Sequence, residues 1–177
     1  PDIVVDLGKN GMTFNFWRGS SYLPYLQSDE QKWYVDEIIE RDGDGSDRMP
    51  DRTNTYSFVK IISSTDDEVV IHWRYLPRFE GGNPQKGVAS DKFVDEYFYI
   101  KPDGKVKRTI RQGTPRIDEW NDPANTISQN FSLTANGLAD VELQGKADYS
   151  SPDKIKGNPV IDKTIVDPVA WWKFDEG

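Results

Sequence analysis

Cysteine is absent from the 177 residues, and histidine occurs once, at His72. Without cysteine the fold uses no disulfide framework, and there is no thiol from which to read a redox compartment. Long apolar runs are missing too: nothing approaches the roughly 20 consecutive apolar residues that span a bilayer. The opening Pro1-Asp2-Ile3-Val4-Val5-Asp6 lacks the basic flank and apolar stretch of a secretory leader, so the chain reads as a mature, soluble fragment with no membrane span. Net positive charge is also lacking. With 22 Lys and Arg against 30 Asp and Glu the formal charge is -8, which argues against a nucleic-acid partner, because counterion release needs a dense positive surface. Helix signals are scarce, and no internal repeat or low-complexity tract is evident.

What is present is aromatic. Only 36% of the chain is hydrophobic, yet 6 Trp, 8 Tyr and 8 Phe supply large apolar areas and argue against disorder. The length suits one domain. Period-two alternation of β-branched and aromatic residues marks strands at 12–17, 57–62, 68–75, 93–100 and 105–111. The last two are joined by Lys101-Pro102-Asp103-Gly104, where proline presets φ and glycine permits a positive φ, the chemistry of a tight hairpin. Segment 28–40 suits either a helix or, at Trp33-Tyr34-Val35, a strand. Loops rich in Gly, Pro, Asp and Asn fall at 41–54, 77–90 and 113–125. The expectation is an all-β, antiparallel β-sandwich with few helices. Its body spans 1–143, followed by a linker or surface strap over 144–168. The aromatic run at 169–177 has no partner strand left to cover its rings and reads as the first strand of a following, truncated module.

Candidate chemistry centres on the one histidine. In Val69-Val70-Ile71-His72-Trp73-Arg74-Tyr75, alternation puts the odd-numbered residues on an apolar face and Val70, His72 and Arg74 on the other. His72 and Arg74 then stand about 7 Å apart, near enough to touch one sugar ring. Imidazole is matched to general-base work near neutral pH, and a guanidinium neutralises a carboxylate; a hydrogen-bonded structural pair is the plainer alternative. Phe16-Trp17-Arg18-Gly19-Ser20-Ser21-Tyr22 ends a strand and can present Arg18 and Tyr22 to a ligand, with the phenol as proton donor, or else Tyr22 is core. Trp33, Tyr34 and Trp120 offer flat rings for sugar faces, although core packing is the usual fate of Trp. Six cations between Lys101 and Arg116 face the single anion Asp103, so an anionic ligand fits this run, as does a solvated strand face. Tyr97 and Arg108 join Trp33 and Tyr34 as candidate substrate contacts. Glu37, Glu40 and Glu96 supply carboxylates, of which a pair such as Glu37 and Glu96 would be needed for glycoside hydrolysis. Asp42, Asp44 and Asp47 resemble half of a calcium loop, but Glu40 in first position, Pro50 and the lack of flanking helices favour a polar turn. No cofactor is required, and Ca2+ is the one metal the pattern suggests.

The order Phe16-Trp17-Arg18-Gly19-Ser20-Ser21-Tyr22-Leu23-Pro24, Trp33-Tyr34-Val35-Asp36-Glu37, Val70-Ile71-His72-Trp73-Arg74-Tyr75 and Asp95-Glu96-Tyr97-Phe98-Tyr99-Ile100 resembles a family of marine-bacterial proteins that includes ulvan oligosaccharide dehydratases and is related to ulvan lyases of polysaccharide lyase family 40. Separately, Ala170-Trp171-Trp172-Lys173-Phe174-Asp175-Glu176-Gly177 resembles the first strand of a laminin-G-like or concanavalin-like jelly roll. These resemblances imply a secreted, periplasmic or cell-surface bacterial protein with covalently linked neighbouring modules, and a mutarotase-like supersandwich as one form of the fold. They imply β-elimination on a uronic-acid oligosaccharide, giving a 4,5-unsaturated uronate. His72 would be the base, Tyr22 the acid, and Arg18 and Arg74 the carboxylate or sulfate ligands. A non-catalytic carbohydrate-binding or spacer module is the alternative.

Overall fold

The computed structural model describes residues 2–8, 11–29, 31–35, 54–76, 93–111 and 126–144 in full, and of 112, 159–161 and 170–173 the backbone. Among these the chain is a β-sandwich of two six-stranded sheets, with one 3-10 turn at Arg18–Ser20 and no α-helix. The first sheet is built on a meander of β1 (Ile3–Asp6), β2 (Thr13–Phe16), β3 (Pro24–Ser28) and β4 (Gln31–Tyr34). The second is one unbroken antiparallel meander: β5 (Ser57–Ser64), β6 (Val69–Tyr75), β7 (Val94–Ile100), β8 (Lys105–Gln112), β9 (Thr126–Thr134) and β10 (Gly137–Gln144). Two late strands extend the first sheet at its edges: β11 (Pro159–Ile161) pairs antiparallel with β4, and β12 (Ala170–Lys173) pairs parallel with β1. The aromatic run near the C-terminus therefore has a partner strand within this chain, and the polar stretch before it contributes a strand.

Alternation dictates which residues meet between the sheets. The odd-numbered residues of β6 and the even-numbered residues of β7 and β8 point inward, and Val69, Ile71, Trp73, Val94, Phe98, Ile100, Val106 and Ile110 are buried there. Opposite them, β2 sends in Phe14 and Phe16, whose rings pack edge-on at 5.4 Å and reach Phe98 across the sandwich at 6.0 and 5.2 Å. Segment 28–40 resolves in favour of a strand at Gln31–Tyr34, because its rings are buried on a sheet; 36–40 lies outside the described residues, as do the expected loops at 77–90 and 113–125 and, apart from Asn54, the one at 41–54.

The predicted β7–β8 hairpin forms. Gly104 has φ 88, its N–H donates to the Lys101 carbonyl at 3.0 Å, and its own carbonyl accepts from the Leu133 N–H at 2.8 Å, tying the turn to β9. The Asp103 carboxylate accepts the Lys105 N–H at 3.0 Å. That hydrogen bond, then the Lys105 side chain, holds the Asp103 carboxyl below its ordinary value.

Candidate functional site

Turning the odd-numbered residues of β6 inward leaves the opposite face of the second sheet to solvent, and there the register aligns side chains in rows across the strands. One row runs Phe58, Arg74, Asp95, Arg111, Thr126; the next runs Lys60, His72, Tyr97, Thr109, Ser128; a third contains Val70, Tyr99, Lys107 and Asn130. Directly opposed side chains on one face lie about 4.5–5.5 Å apart at Cβ, so each row is a contact series.

His72 and Asp95 are the centre. Nε2 of His72 is 2.6 Å from Oδ1 of Asp95, with the side chains 12% and 15% exposed. A carboxylate only accepts, so Nε2–H is the donor in this pair and the ring is held with Nδ1 as its other nitrogen. Tyr97 stacks on the imidazole, ring centroids 4.7 Å apart and 15° from parallel. Two guanidinium groups flank the stack. Arg74, 37% exposed, lies over the Phe93 ring at 4.5 Å with Nε 3.9 Å from Asp95. Arg111 lies over the Tyr97 ring at 5.3 Å, and its buried Nε has no hydrogen-bond partner among the described residues. Burial, then the Asp95 carboxylate, raise the Tyr97 phenol above its ordinary value against the opposing pull of Arg111, so at neutral pH it keeps its proton and can donate it.

The same face continues toward the β7–β8 turn into an open depression of about 680 Å³, lined among others by Tyr99, Lys107, Asn130, Ser132 and Glu142.

The four expected catalytic residues divide between the two sheets. His72 and Arg74 share the face just described. Arg18 and Tyr22 stand at the turn after β2 in the first sheet, where the Arg18 N–H donates to Asp2 Oδ1 at 2.6 Å and its carbonyl accepts from Asn54 Nδ2 at 3.1 Å. The Arg18 side chain is exposed, but Tyr22 is buried in the hydrophobic core with φ 61, following Ser21 at φ 49. Burial, then Asp2, raise its phenol against Arg18. Tyr22 is thus the core residue of the plainer alternative.

Three expected substrate contacts are also interior. Trp33 packs against Gly137 of β10, where a Cβ would come within 2.8 Å of its ring, and Tyr34 packs on Tyr25 at 5.1 Å. Arg108 has no exposure: even-numbered on β8, it faces the core, where its guanidinium binds both oxygens of Glu96 at 2.7 and 2.9 Å and Gln129 at 3.0 Å. Tyr75 O–H completes this buried network, donating to Glu96 at 2.9 Å. Arg108 is therefore corrected from a surface contact to a core residue, and Glu96 is not placed for hydrolysis of a bound glycan. Only Tyr97, of the four expected contacts, stands beside His72. Glu37, Glu40, Asp42, Asp44, Asp47 and Trp120 lie outside the described residues.

Neither Asp95 nor Arg111 is marked by the sequence as a site residue in its own right, Arg111 being one of the six cations between Lys101 and Arg116. The signal was available in the alternation of 94–100, which puts Asp95, Tyr97 and Tyr99 together on the face opposite Val94, Phe98 and Ile100. Among the described residues no group of three His, Asp or Glu side chains is placed to hold a metal, and no helix is long and apolar enough to cross a membrane. No protein family, curated protein or solved structure matches the chain.

Proposed function

We propose that the outer face of the second sheet binds a uronate-bearing, ulvan-type oligosaccharide, as a carbohydrate-binding module of a secreted bacterial protein. The observation that carries this reading is the grouping of Arg74 and Arg111 around the His72–Tyr97 stack, on a chain whose overall charge is -8. A guanidinium recognises a carboxylate through two parallel N–H donors, and that of Arg111 lies over the Tyr97 ring on this face. The rings of Tyr97 and Tyr99 offer flat apolar surface of the kind that covers the C–H face of a pyranose. Isothermal titration of the intact chain with ulvan oligosaccharides is expected to show binding that weakens as salt screens the charges. Arg111→Ala is expected to lower affinity about tenfold, one charge-assisted hydrogen bond's worth. No binding, or an Arg111→Ala variant as tight as the parent, refutes the reading.

A second reading, β-elimination at the same place, is favoured by the His72–Asp95 bond at 2.6 Å. His72 would take the C5 proton, with its C–H electron pair becoming the C4=C5 double bond. Arg74 or Arg111 would neutralise the uronate carboxylate as enolate character develops. The C4–O bond would break, and the departing oxygen would take the Tyr97 proton, so Tyr97 fills the role expected of Tyr22. Product mass separates the two readings. An unchanged ligand means binding alone, loss of one water means dehydration, and chain shortening to an unsaturated uronate means a lyase. Turnover that survives in His72→Ala rules out this assignment.

A further inference from the structure

The outer face offers more than its arginine pole, and the two ends differ in charge chemistry. At the Arg111 end, Arg74 and Arg111 outnumber Asp95 among the described residues. Toward the β7–β8 turn, the depression is lined by Lys101, Lys105 and Lys107, but equally by Glu68, Asp140 and Glu142, with Asn130, Ser132 and Tyr99 between them. Lys105 is further occupied, its Nζ 3.0 Å from Asp103 Oδ2. With Lys105 paired to Asp103, the charges of the described lining give no net positive field for a second anionic group, whereas carboxylates, ammonium groups, an amide and two hydroxyls together form the donors and acceptors that sugar hydroxyls need. Arg111 and Lys107 are four residues apart on one strand, so the two ends are about 13 Å apart, beyond the reach of a single ring.

Resting on the binding reading above, we infer that the face has two subsites aligned along β7 and β8: an acidic-sugar subsite at Arg74, Tyr97 and Arg111, and a second that holds a neighbouring sugar by its hydroxyl groups at Tyr99, Asn130 and Glu142. The preferred ligand is an oligosaccharide in which a uronate is followed by residues recognised through hydroxyls rather than through added sulfate.

Titration calorimetry on the intact chain tests this with three probes: free glucuronate, ulvan oligosaccharides, and the same oligosaccharides after desulfation. Both oligosaccharides are expected to bind at least about tenfold more tightly than glucuronate, with desulfation leaving affinity undiminished. In Asn130→Ala/Glu142→Gln, two exposed-face changes checked for folding by thermal unfolding, the ratio of oligosaccharide to glucuronate affinity is expected to fall toward one. A ratio near one in the parent, a ratio unchanged in the double variant, or a loss of binding on desulfation overturns the inference. These failures differ from failure of the binding reading itself, which shows as an Arg111→Ala variant that still binds glucuronate as the parent does. Absence of binding by every probe overturns both.

Discussion

Glu96 and Arg108 have no exposure, and their bond shows how residue chemistry follows strand parity. Each is even-numbered on its strand, each strand's even face is the core, and the hairpin register sets Arg108 opposite Phe98, one inward position from Glu96. Burying two charges is tolerable only because each satisfies the other and Gln129 and Tyr75 take up further hydrogen bonds. Removing one partner strands the other. Arg108→Met is therefore expected to cost about 3–5 kcal/mol in urea unfolding, while Glu96→Leu/Arg108→Met costs less than Arg108→Met alone. A loss under about 1 kcal/mol for Arg108→Met would show that the pair does not hold the core in this way. The sequence alone hides this bridge. Arg108 sits in a run of six cations and looks like part of a surface field; its parity with Val106 and Ile110 sets it apart from Lys105, Lys107 and Arg111, but only the hairpin register brings it to Glu96. His72 was legible as an outward residue from the apolar alternation around it; the alternation of 94–100 turns Asp95 outward as well, but that the two meet across 23 positions depends on the register of β6 against β7.

Among the elements, the β7–β8 hairpin was readable because the residues that make its turn, Lys101-Pro102-Asp103-Gly104, are contiguous; its tie to Leu133 of β9 was not. Gly104 is irreplaceable there for two reasons: its φ is 88, and a Cβ would lie 2.8 Å from the Leu133 carbonyl oxygen, a backbone atom that cannot swing aside. Gly104→Ala is expected to destabilise by about 1–3 kcal/mol, lowering the thermal midpoint while leaving strand content by circular dichroism intact. A midpoint unchanged from the parent would show that the turn relaxes freely. Strands β2 and β5 to β8 were legible from local patterning, β-branched and aromatic residues recurring with period two over most of each run, although β5 shifts register between Ile61 and Ser63 and β7 and β8 each turn one charged residue inward. Others were not. β9 places Gln129 in its inward series among Ile127, Phe131 and Leu133, and β10 shifts register between Ala139 and Glu142, so a polar residue or a bulge interrupts each pattern. β12 lies beside β1, from the opposite end of the chain, and parallel pairing across that distance leaves no turn signature.

Across the whole molecule, the two sheets differ in how their strands are joined. The second sheet is a single sequential meander, in which β6, β7, β8 and β9 each have hydrogen-bonded neighbours on both sides, while β5 and β10 are its edges. Hydrogen exchange is expected to follow that order, with amides of β6 to β9 the slowest and those on the open sides of β5 and β10 the fastest. Uniform exchange across all six strands would contradict it. The all-β class and the sandwich followed from composition and alternation, since one apolar face per strand must be buried against another sheet. The assembly of the outer face did not, because it depends on which strands lie side by side.

Strand β7 carries the core on its even numbers, Val94, Glu96, Phe98 and Ile100, and the candidate ligand face on its odd ones, Asp95, Tyr97 and Tyr99. Interior and surface are thus two readings of a single ribbon. A slip of its register by one residue would exchange them wholesale, sending aspartate and two phenols inward and phenylalanine out. The chemistry of this face is open to change by substitution, one letter at a time, and closed to change by frame.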